Sequence, residues 1–180
     1  MSESEKHPIF ANRTGGNIVT ILGIDPGLAT VGYGVISSLR GKHTALEYGA
    51  ILTPAHTLLE ERLEQIYNDM NAIFSRHSID MMAIEELFFN KNLKTAVDVC
   101  QARGVILLSA QKNGVPIYEY TPLQIKQAVV GYGRAEKQQV MYMTKSLLRL
   151  ESVPKPDDTA DALAVAITHA SAYRKPIKLG

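Results

Sequence analysis

The stretch Ile18-Val-Thr-Ile-Leu-Gly-Ile24, followed at once by Asp25-Pro26-Gly27, decides the fold. It is apolar on both alternating faces and rich in β-branched residues, which is typical of a central strand buried on two sides. A proline and a glycine end the strand pattern. Asp25 is therefore predicted to stand at the carboxyl end of a buried strand.

Outward from this strand, the hydrophobic pattern predicts four more strands and five helices. Strands joined by tight turns are antiparallel, whereas a helical crossover makes the next strand parallel to the first. We therefore expect an α/β fold with a mixed five-stranded sheet flanked by helices. The strands are expected at 18–24, 31–39, 44–52, 81–84 and 115–120, and the helices at 59–74, at 93–112, in two stretches separated by Gly131 and Gly133, and from about 156–158 through 173.

The chain has 180 residues, and single hydrophobic cores grow to ~100–200 residues before a chain divides. We expect one domain over residues 18–175, preceded by a flexible polar extension at 1–17 and followed by a short tail at 176–180. A composition of 46% hydrophobic and 21% charged residues excludes disordered, fibrous and low-complexity proteins.

Membrane and secretory classes are not favoured by the sequence. Its longest uncharged apolar runs fall far short of the ~20 residues that cross a bilayer. The N-terminus carries acids where a signal peptide needs positive charge, so a cytoplasmic location is expected. A single cysteine, Cys100, excludes an intrachain disulfide and a thiolate zinc site, and we expect it to be a small buried residue.

The net charge of +1 hides an uneven distribution along the chain. Residues 1–87 carry 6 basic and 11 acidic side chains, residues 88–150 carry 9 and 3, and residues 151–180 carry 4 and 4. An acidic first half followed by a basic middle suits a site where cations meet a polyanion. On charge counts alone, an ordinary solvated surface remains the better interpretation.

Four carboxylates stand out by their positions. Asp25 and Glu85 each end a predicted strand, and ligands of open α/β sheets bind at such edges. Asp158 and Asp161 are three apart in a predicted helix, so both project from one face. Asp161 lies in an apolar helix without a cation nearby in sequence, and a buried unpaired carboxylate is costly. We therefore expect a positive group at this place.

Oxygen-only ligands suit a hard cation such as Mg²⁺ or Mn²⁺. Two such ions, about 3.5–4 Å apart, would assist an in-line displacement at phosphorus, which is phosphodiester hydrolysis. Each acid also has a structural interpretation: Asp25 as a turn residue, Asp158 as a helix cap and Glu85 as a charge at a strand end. The four together favour the metal site.

Seven short motifs in order make the chain similar to a known family. Between about Ile21 and His169 it resembles the RuvC family of Holliday junction resolvases, which are metal-dependent endonucleases with an RNase H-like fold. The motifs are Gly-Ile-Asp-Pro-Gly at 23–27, Gly-Tyr-Gly-Val-Ile at 32–36, Ala-Ile-Glu at 83–85, Gln-Ala-Arg-Gly-Val at 101–105, Val-Val-Gly at 129–131, Ala-Glu-Lys at 135–137 and Asp-Ala-Leu-Ala at 161–164.

The resemblance implies roles for particular residues. It carries the metal ligands of the family onto the same four acids, Asp25, Glu85, Asp158 and Asp161. Glu86 follows Glu85 directly, and because adjacent strand residues point to opposite faces, only Glu85 is expected to be a ligand. The resemblance further implies that Lys126 acts near the reacting phosphate and that DNA is contacted by Phe88, Lys126 and Lys137, with Phe88 stacking on unpaired bases; Phe89 is the competing ring. Lys91, a cation beside these aromatics on what should be an exposed loop, is a further candidate DNA contact.

The resemblance also implies an activity and its partners. We expect a homodimer that binds four-way DNA junctions and nicks two opposed strands symmetrically, in homologous recombination and DNA repair. Mg²⁺ is the expected cofactor, with Mn²⁺ able to substitute and two ions per site. RuvA and RuvB, the branch-migration proteins, are the expected partners, and no membrane is involved.

Several alternatives stay open at this point. The chain could be a non-catalytic junction-binding or scaffold protein. Its Gly-Ile-Asp-Pro-Gly motif also resembles the phosphate-binding start of actin-like ATPases and sugar kinases, although those folds need two such domains. Lys145 and Arg149 could form a DNA track or a solvated stripe, and Gly104 could serve a dimer contact or a contact between helices. His169 is expected to be structural.

Overall fold

The structure is a computed structural model that describes residues 18–87 and 93–173. The expectations for the extension at 1–17, for Phe88, Phe89 and Lys91, and for the tail at 176–180 lie outside the described residues. All of the predicted strands and helices fall within the described residues.

A mixed five-stranded sheet forms the centre of the molecule, as predicted. Its strand order is β3-β2-β1-β4-β5. β1 pairs antiparallel with β2, which pairs antiparallel with β3, whereas β4 is parallel to both β1 and β5. The strands are β1 Val19–Asp25, β2 Thr30–Leu39, β3 Lys42–Leu52, β4 Met81–Glu85 and β5 Ile117–Tyr120.

Five helices accompany the sheet, also as predicted. The first four predicted strands agree with the structure to within a few residues, but β5 starts two residues later than predicted. Val115 donates its N–H to the Ala110 carbonyl at the end of α2, and Pro116 has no N–H, so neither residue extends the strand. The helices are α1 Leu59–Arg76, α2 Leu93–Lys112, α3 Pro122–Val130, α4 Lys137–Leu148 and α5 Asp157–Ala172.

The alternation of side chains along β1 divides the core into two layers. Leu22 and Ile24 pack on one face of the sheet with α1 and α2. Ile21 packs on the other face with α3, α4 and α5. Burial on both faces explains why β1 is apolar at successive positions.

α5 lies directly against β1 and β2 because glycines there leave room for it. A Cβ atom at Gly23 would overlap the Ala162 carbonyl and would stand 2.8 Å from the Ala166 Cβ. A Cβ atom at Gly32 would overlap the backbone of Asp158. α5 is apolar on almost every side, which fits a helix enclosed by the sheet and its neighbouring helices.

The exposed face of α2 corrects one expectation. Cys100 is exposed, not buried, because α2 turns Ala102, Ile106 and Ala110 toward the core and Cys100 lies on its other side. A Cβ atom added at Gly104, also on this side, would meet nothing within 4 Å among the described residues, so Gly104 does not serve a contact between the helices described here. Among the described residues, no helix combines the length and apolarity that crossing a bilayer requires.

Candidate active site

Asp25 and Glu85 come to one edge of the sheet through strand pairing. β1 and β4 are parallel and in register through Ile24 and Ile84, the residues just before the two acids. Alternation places Asp25 on the same face as Ile21, and Glu85 on the same face as Met81. Both of those residues pack toward α5. The two carboxylates therefore share the carboxyl edge and the α5 face.

Asp158 and Asp161 reach this edge through the first turns of α5. Gly32 pairs with Asp25 across the β1–β2 ladder, and the Asp158 backbone lies directly over Gly32. The close packing made possible by this glycine carries the start of α5 onto the end of β1. The structure thus brings together the four acids predicted from strand ends and helix spacing, and we call Asp25, Glu85, Asp158 and Asp161 the acidic cluster.

The loop after Asp25 is fixed by Thr53 at the end of β3. The Thr53 hydroxyl donates to the Leu28 carbonyl at 2.6 Å, and its backbone N–H donates to the Ala29 carbonyl at 3.1 Å. Arg62 of α1 donates through Nε to the same hydroxyl at 2.8 Å. These bonds hold the turn that would otherwise leave Asp25 at a loose strand end.

Burial and the repulsion between neighbouring carboxylates raise the pKa values of Asp25, Glu85 and Asp161. Burial, followed by the charges of Glu85, Asp161 and Asp158, raises the pKa of Asp25 to about 8. Burial and the charge of Asp161 raise the pKa of Glu85 to about 7. Burial also raises the pKa of Asp161 above its ordinary value. Burial is the largest cause of each shift and neighbouring carboxylates add to it, so nearby positive charge would favour the ionised forms.

Lys137 supplies part of that charge. Its Nζ lies 2.9 Å from Asp161 Oδ2 and 3.7 Å from Asp157 Oδ2. Asp161 therefore has no cation nearby in sequence but does have one in space, delivered by the start of α4. The Lys137 charge also lowers the pKa of Asp25 and Glu85, although burial outweighs it at both.

The donor set fits a hard divalent cation by its chemistry. The four side chains offer only oxygen atoms, they are partly or largely buried, and their charges repel one another. In the part of the chain that the structure describes, no group of three or more His, Cys, Asp or Glu side chains is arranged to hold a metal ion as it stands. The acids meet at one edge without forming a finished coordination shell.

Comparison with known proteins identifies the family. The sequence model of the family described as "Crossover junction endodeoxyribonuclease RuvC" matches residues 21–169. A protein of that name from Clostridioides difficile (strain 630) is 59% identical over 150 residues, which cover 83% of this chain and 89% of the relative. One from Halothermothrix orenii is 54% identical over 162 residues, which cover 90% and 98%. This chain belongs to the RuvC family.

A solved structure of the family confirms the fold. The chain is similar to Thermus thermophilus RuvC in complex with a Holliday junction substrate, with a TM-score of 0.82 and 35% identity over 86% of this chain and 94% of that one. The RNase H-like fold that the sequence resemblance implied is therefore correct. A yeast mitochondrial Holliday junction resolvase, at 14% identity and a TM-score of 0.62, shares the fold.

The remaining candidate residues of this RuvC-family chain lie either near the acidic cluster or further away from it. Lys126 of α3 lies near the acidic cluster, since its charge lowers the pKa of Glu85. Glu86 is exposed, and its backbone N–H donates to the Tyr120 carbonyl at 2.9 Å. Lys145 lies in the last turn of α4, and Arg149 caps that helix, both well along it from Lys137.

His169 is structural, as expected. It is 1% exposed and stacks against Tyr118 at a centroid distance of 4.3 Å. The Tyr120 hydroxyl and His169 Nδ1 share a hydrogen bond of 2.7 Å, and Nε2 lies 3.1 Å from the Met81 sulfur. Burial lowers the pKa of His169 to about 4, so the ring is neutral at ordinary pH.

Two features of the site were missed by sequence reasoning. Asp157 contacts both Lys137 and Lys155, at 3.7 and 2.7 Å, and shares the Lys137 charge with Asp161. Gly23 and Gly32 determine how closely α5 approaches the strands. Glycine at alternate positions of apolar strands was a usable signal for this approach, because glycine weakens a strand unless another backbone comes close.

Proposed function

We propose that this chain is a metal-dependent endonuclease that binds four-way DNA junctions and resolves them by paired, symmetric nicks in opposed strands. The observation that carries the proposal is the meeting of four partly buried, mutually repelling carboxylates at one sheet edge in a member of the RuvC family. Homologous recombination and DNA repair are the processes that require this reaction. Residues 18–175 would act as one nuclease domain, between the extension at 1–17 and the tail at 176–180.

Asp25, Glu85, Asp158 and Asp161 would hold the metal, with Mg²⁺ as the expected ion, Mn²⁺ as a substitute, and two ions per site. When bound, such ions lower the pKa of a water and stabilise charge on phosphoryl oxygens. The raised pKa values of Asp25 and Glu85 support this assignment, because burial and then the neighbouring carboxylates disfavour their ionised forms, which bound hard cations would stabilise.

The lysines beside the acidic cluster would bind the DNA backbone. Lys126 is partly buried in α3 beside Glu85, and Lys137 is exposed at the start of α4 beside Asp161. Phosphate contacts of this kind fix the register of a nucleic acid without reading its sequence. Lys126, whose charge acts on Glu85, would also offset charge that develops on the reacting phosphate. Phe88 and Lys91 remain proposed DNA contacts, with Phe88 stacking on unpaired bases at the junction centre.

We also propose a homodimer, because its two-fold axis would match that of a junction and would present one site to each nicked strand. An exposed stripe of α2 supports this. Val97 and Leu108 are 56% and 53% exposed, and Gln101 and Gly104 lie exposed between them at helical spacing. Gly104 leaves open space over the stripe, into which a second helix could fit. RuvA and RuvB would be further partners, in the cytoplasm.

Cleavage of a synthetic four-way junction, with and without Mg²⁺, tests the proposed function. The wild type should nick opposed strands only with the ion present. Glu85→Gln should reduce nicking by about 100-fold or more while junction binding persists, since losing even an outer partner of a metal ligand costs 10–100-fold.

Glu86→Gln is the matched control, because it makes the same change at the adjacent, exposed position. It should nick at close to the wild-type rate. Junction binding by the wild type without any Mg²⁺-dependent nicking would leave the scaffold alternative as the better function. Equal nicking by Glu85→Gln and the wild type would overturn the assignment of the site.

A further inference from the structure

Lys137 carries its charge where a helix does not favour it. It is the first residue of α4, directly after the N-cap residue Glu136. The N-terminus of a helix bears a partial positive charge, so a cation there is unfavourable. Asp161 and Asp157, both from α5, provide the negative charge that offsets this placement. The negative charges of Asp161 and Asp157 thus stabilise a lysine at the start of α4.

The ammonium group engages an oxygen that a divalent ion would need. Lys137 Nζ lies 2.9 Å from Asp161 Oδ2, within hydrogen-bond distance. Two cations at contact distance on one carboxylate repel each other, most strongly where water is partly excluded. Asp161 is only 23% exposed, whereas Lys137 is 55% exposed and so has room to move. Of the two partners, Lys137 is the one that can leave.

The acidic cluster as a whole depends on the same lysine. The Lys137 charge acts on Asp25, Glu85 and Asp161, whereas that of Lys126 is felt at Glu85. Within the described residues, the carboxylates are not gathered into a group that could hold an ion as they stand. Lys137 therefore balances part of the negative charge of these carboxylates.

We propose that Lys137 is a displaceable counter-ion of the acidic cluster. It engages Asp161 while no divalent ion is bound, and binding of the ion releases its ammonium group, which is then free to contact a DNA phosphate. The inference rests on the proposed metal site and adds to it an order of events. Metal binding in the absence of DNA has to break the Lys137–Asp161 contact, so Lys137 weakens the affinity for the ion.

Titration of the DNA-free protein with Mn²⁺, followed by electron paramagnetic resonance of the free ion, tests the inference. Removing the charge in Lys137→Met should tighten Mn²⁺ binding by roughly three- to tenfold, because no ion pair has to break. Lys137→Arg keeps the charge and should bind Mn²⁺ close to the wild-type affinity. Lys145→Met, further along α4, removes a lysine away from Asp161 and should also match the wild type.

Nuclear magnetic resonance of lysine ammonium groups provides a second measurement that needs no change in affinity. A hydrogen-bonded Lys137 signal, assigned by its absence in Lys137→Arg, should be present in EDTA and lost on addition of Mg²⁺. Persistence of that signal at saturating Mg²⁺, or equal or weaker Mn²⁺ binding by folded Lys137→Met, overturns the inference.

The two proposals fail in different ways. If the wild type nicks junctions with Mg²⁺ but Lys137→Met shows no gain in Mn²⁺ affinity, the proposed function stands and the role of Lys137 as a competitor is wrong. If neither the wild type nor Lys137→Met binds Mn²⁺ and no nicking occurs, the metal site fails and the counter-ion role fails with it.

Discussion

Glu85 and Glu86 are adjacent in sequence, but their side chains lie in different environments. Side chains alternate along a strand, so Glu85 follows Met81 and Ala83 onto the α5 face, where the other acids lie. Glu86 comes after the strand ends and is exposed. The same functional group therefore has a raised pKa of about 7 at Glu85 and a solvated setting at Glu86.

Asp25 leads to a prediction about pH. Its carboxyl group loses a proton near its ordinary value of 3.8 in the unfolded chain and near 8 in the fold. Between these values the folded state binds more protons than the unfolded state, so the free energy of unfolding falls as pH rises. The histidines whose pKa values are lowered, His43 and His169, act in the opposite direction, and their effect fades as pH rises above their ordinary value of 6.5, where the unfolded imidazoles also become neutral.

In EDTA, the melting temperature of the wild type should therefore fall between pH 6.5 and 8.5. Asp25→Asn removes the charge and should exceed the wild type at pH 8.5 by at least roughly 2–4 °C, the shift that each kcal/mol produces in a chain of this size. Mg²⁺ should raise the wild-type melting temperature more at pH 8.5 than at pH 6.5. Scanning calorimetry checks both predictions. A wild-type melting temperature that changes with pH in the same way as that of Asp25→Asn would contradict the expectation.

At the scale of elements, the contact of α5 with β1 and β2 builds the site. α5 carries two of the four acids, β1 carries a third, and β4 beside β1 carries the fourth. The separation between them is fixed by glycines under the helix, since any side chain at Gly23 or Gly32 would overlap the α5 backbone. A small displacement of α5 would move Asp158 and Asp161 together relative to Asp25.

Gly23→Ala tests this contact. The added Cβ would overlap the Ala162 carbonyl, and backbone cannot move aside as cheaply as a side chain. We expect a loss of about 1–3 kcal/mol in the free energy of unfolding, measured by urea denaturation, and reduced junction cleavage in the fraction that folds.

Gly104→Ala is the matched control for Gly23→Ala. A Cβ at Gly104 meets nothing within 4 Å, and alanine in a helix interior is favoured over glycine by up to about 1 kcal/mol. At concentrations too low for self-association, this variant should be as stable as the wild type or more so. A similar loss in both glycine variants would mean that close packing under α5 is not what Gly23 provides.

At the scale of the whole molecule, the two faces of the sheet have different surroundings. The face that carries the acidic cluster is covered by α3, α4 and α5, whereas α1 and α2 cover the other. The exposed stripe of α2 is thus separated from the acids by the sheet. A second copy could bind there without covering the site, which fits a dimer with two open sites.

Leu108→Lys should convert the proposed dimer to a monomer, because it places a charge within the α2 stripe. Leu123→Lys is the matched control: Leu123 is 55% exposed against 53% for Leu108 but lies on α3, on the other face of the sheet. Sedimentation velocity should show a dimer for the wild type and Leu123→Lys and a monomer for Leu108→Lys, whose paired nicking should also be lost. A monomeric wild type would contradict the expected assembly.

The sequence by itself determined the order of strands and helices, the position of Asp25 at a strand end and the grouping of Asp158 with Asp161. These follow from local pattern: an apolar run ended by proline and glycine, and a spacing of three residues along a helix. The predicted strand end also gave Glu85, and the alternation of side chains along a strand separated it from Glu86. Each of these inferences needs only neighbours in the chain.

Tertiary structure alone decided which distant groups meet. Lys137 reaches Asp161 because α4 and α5 pack together, and no local pattern joins residues 24 positions apart in this way. The exposure of Cys100 depended on which side of α2 faces the core, and the approach of α5 depended on glycines in two different strands. Charge balance and burial are sums over neighbours in space, so the raised pKa values of Asp25, Glu85 and Asp161 exist only once the chain has folded.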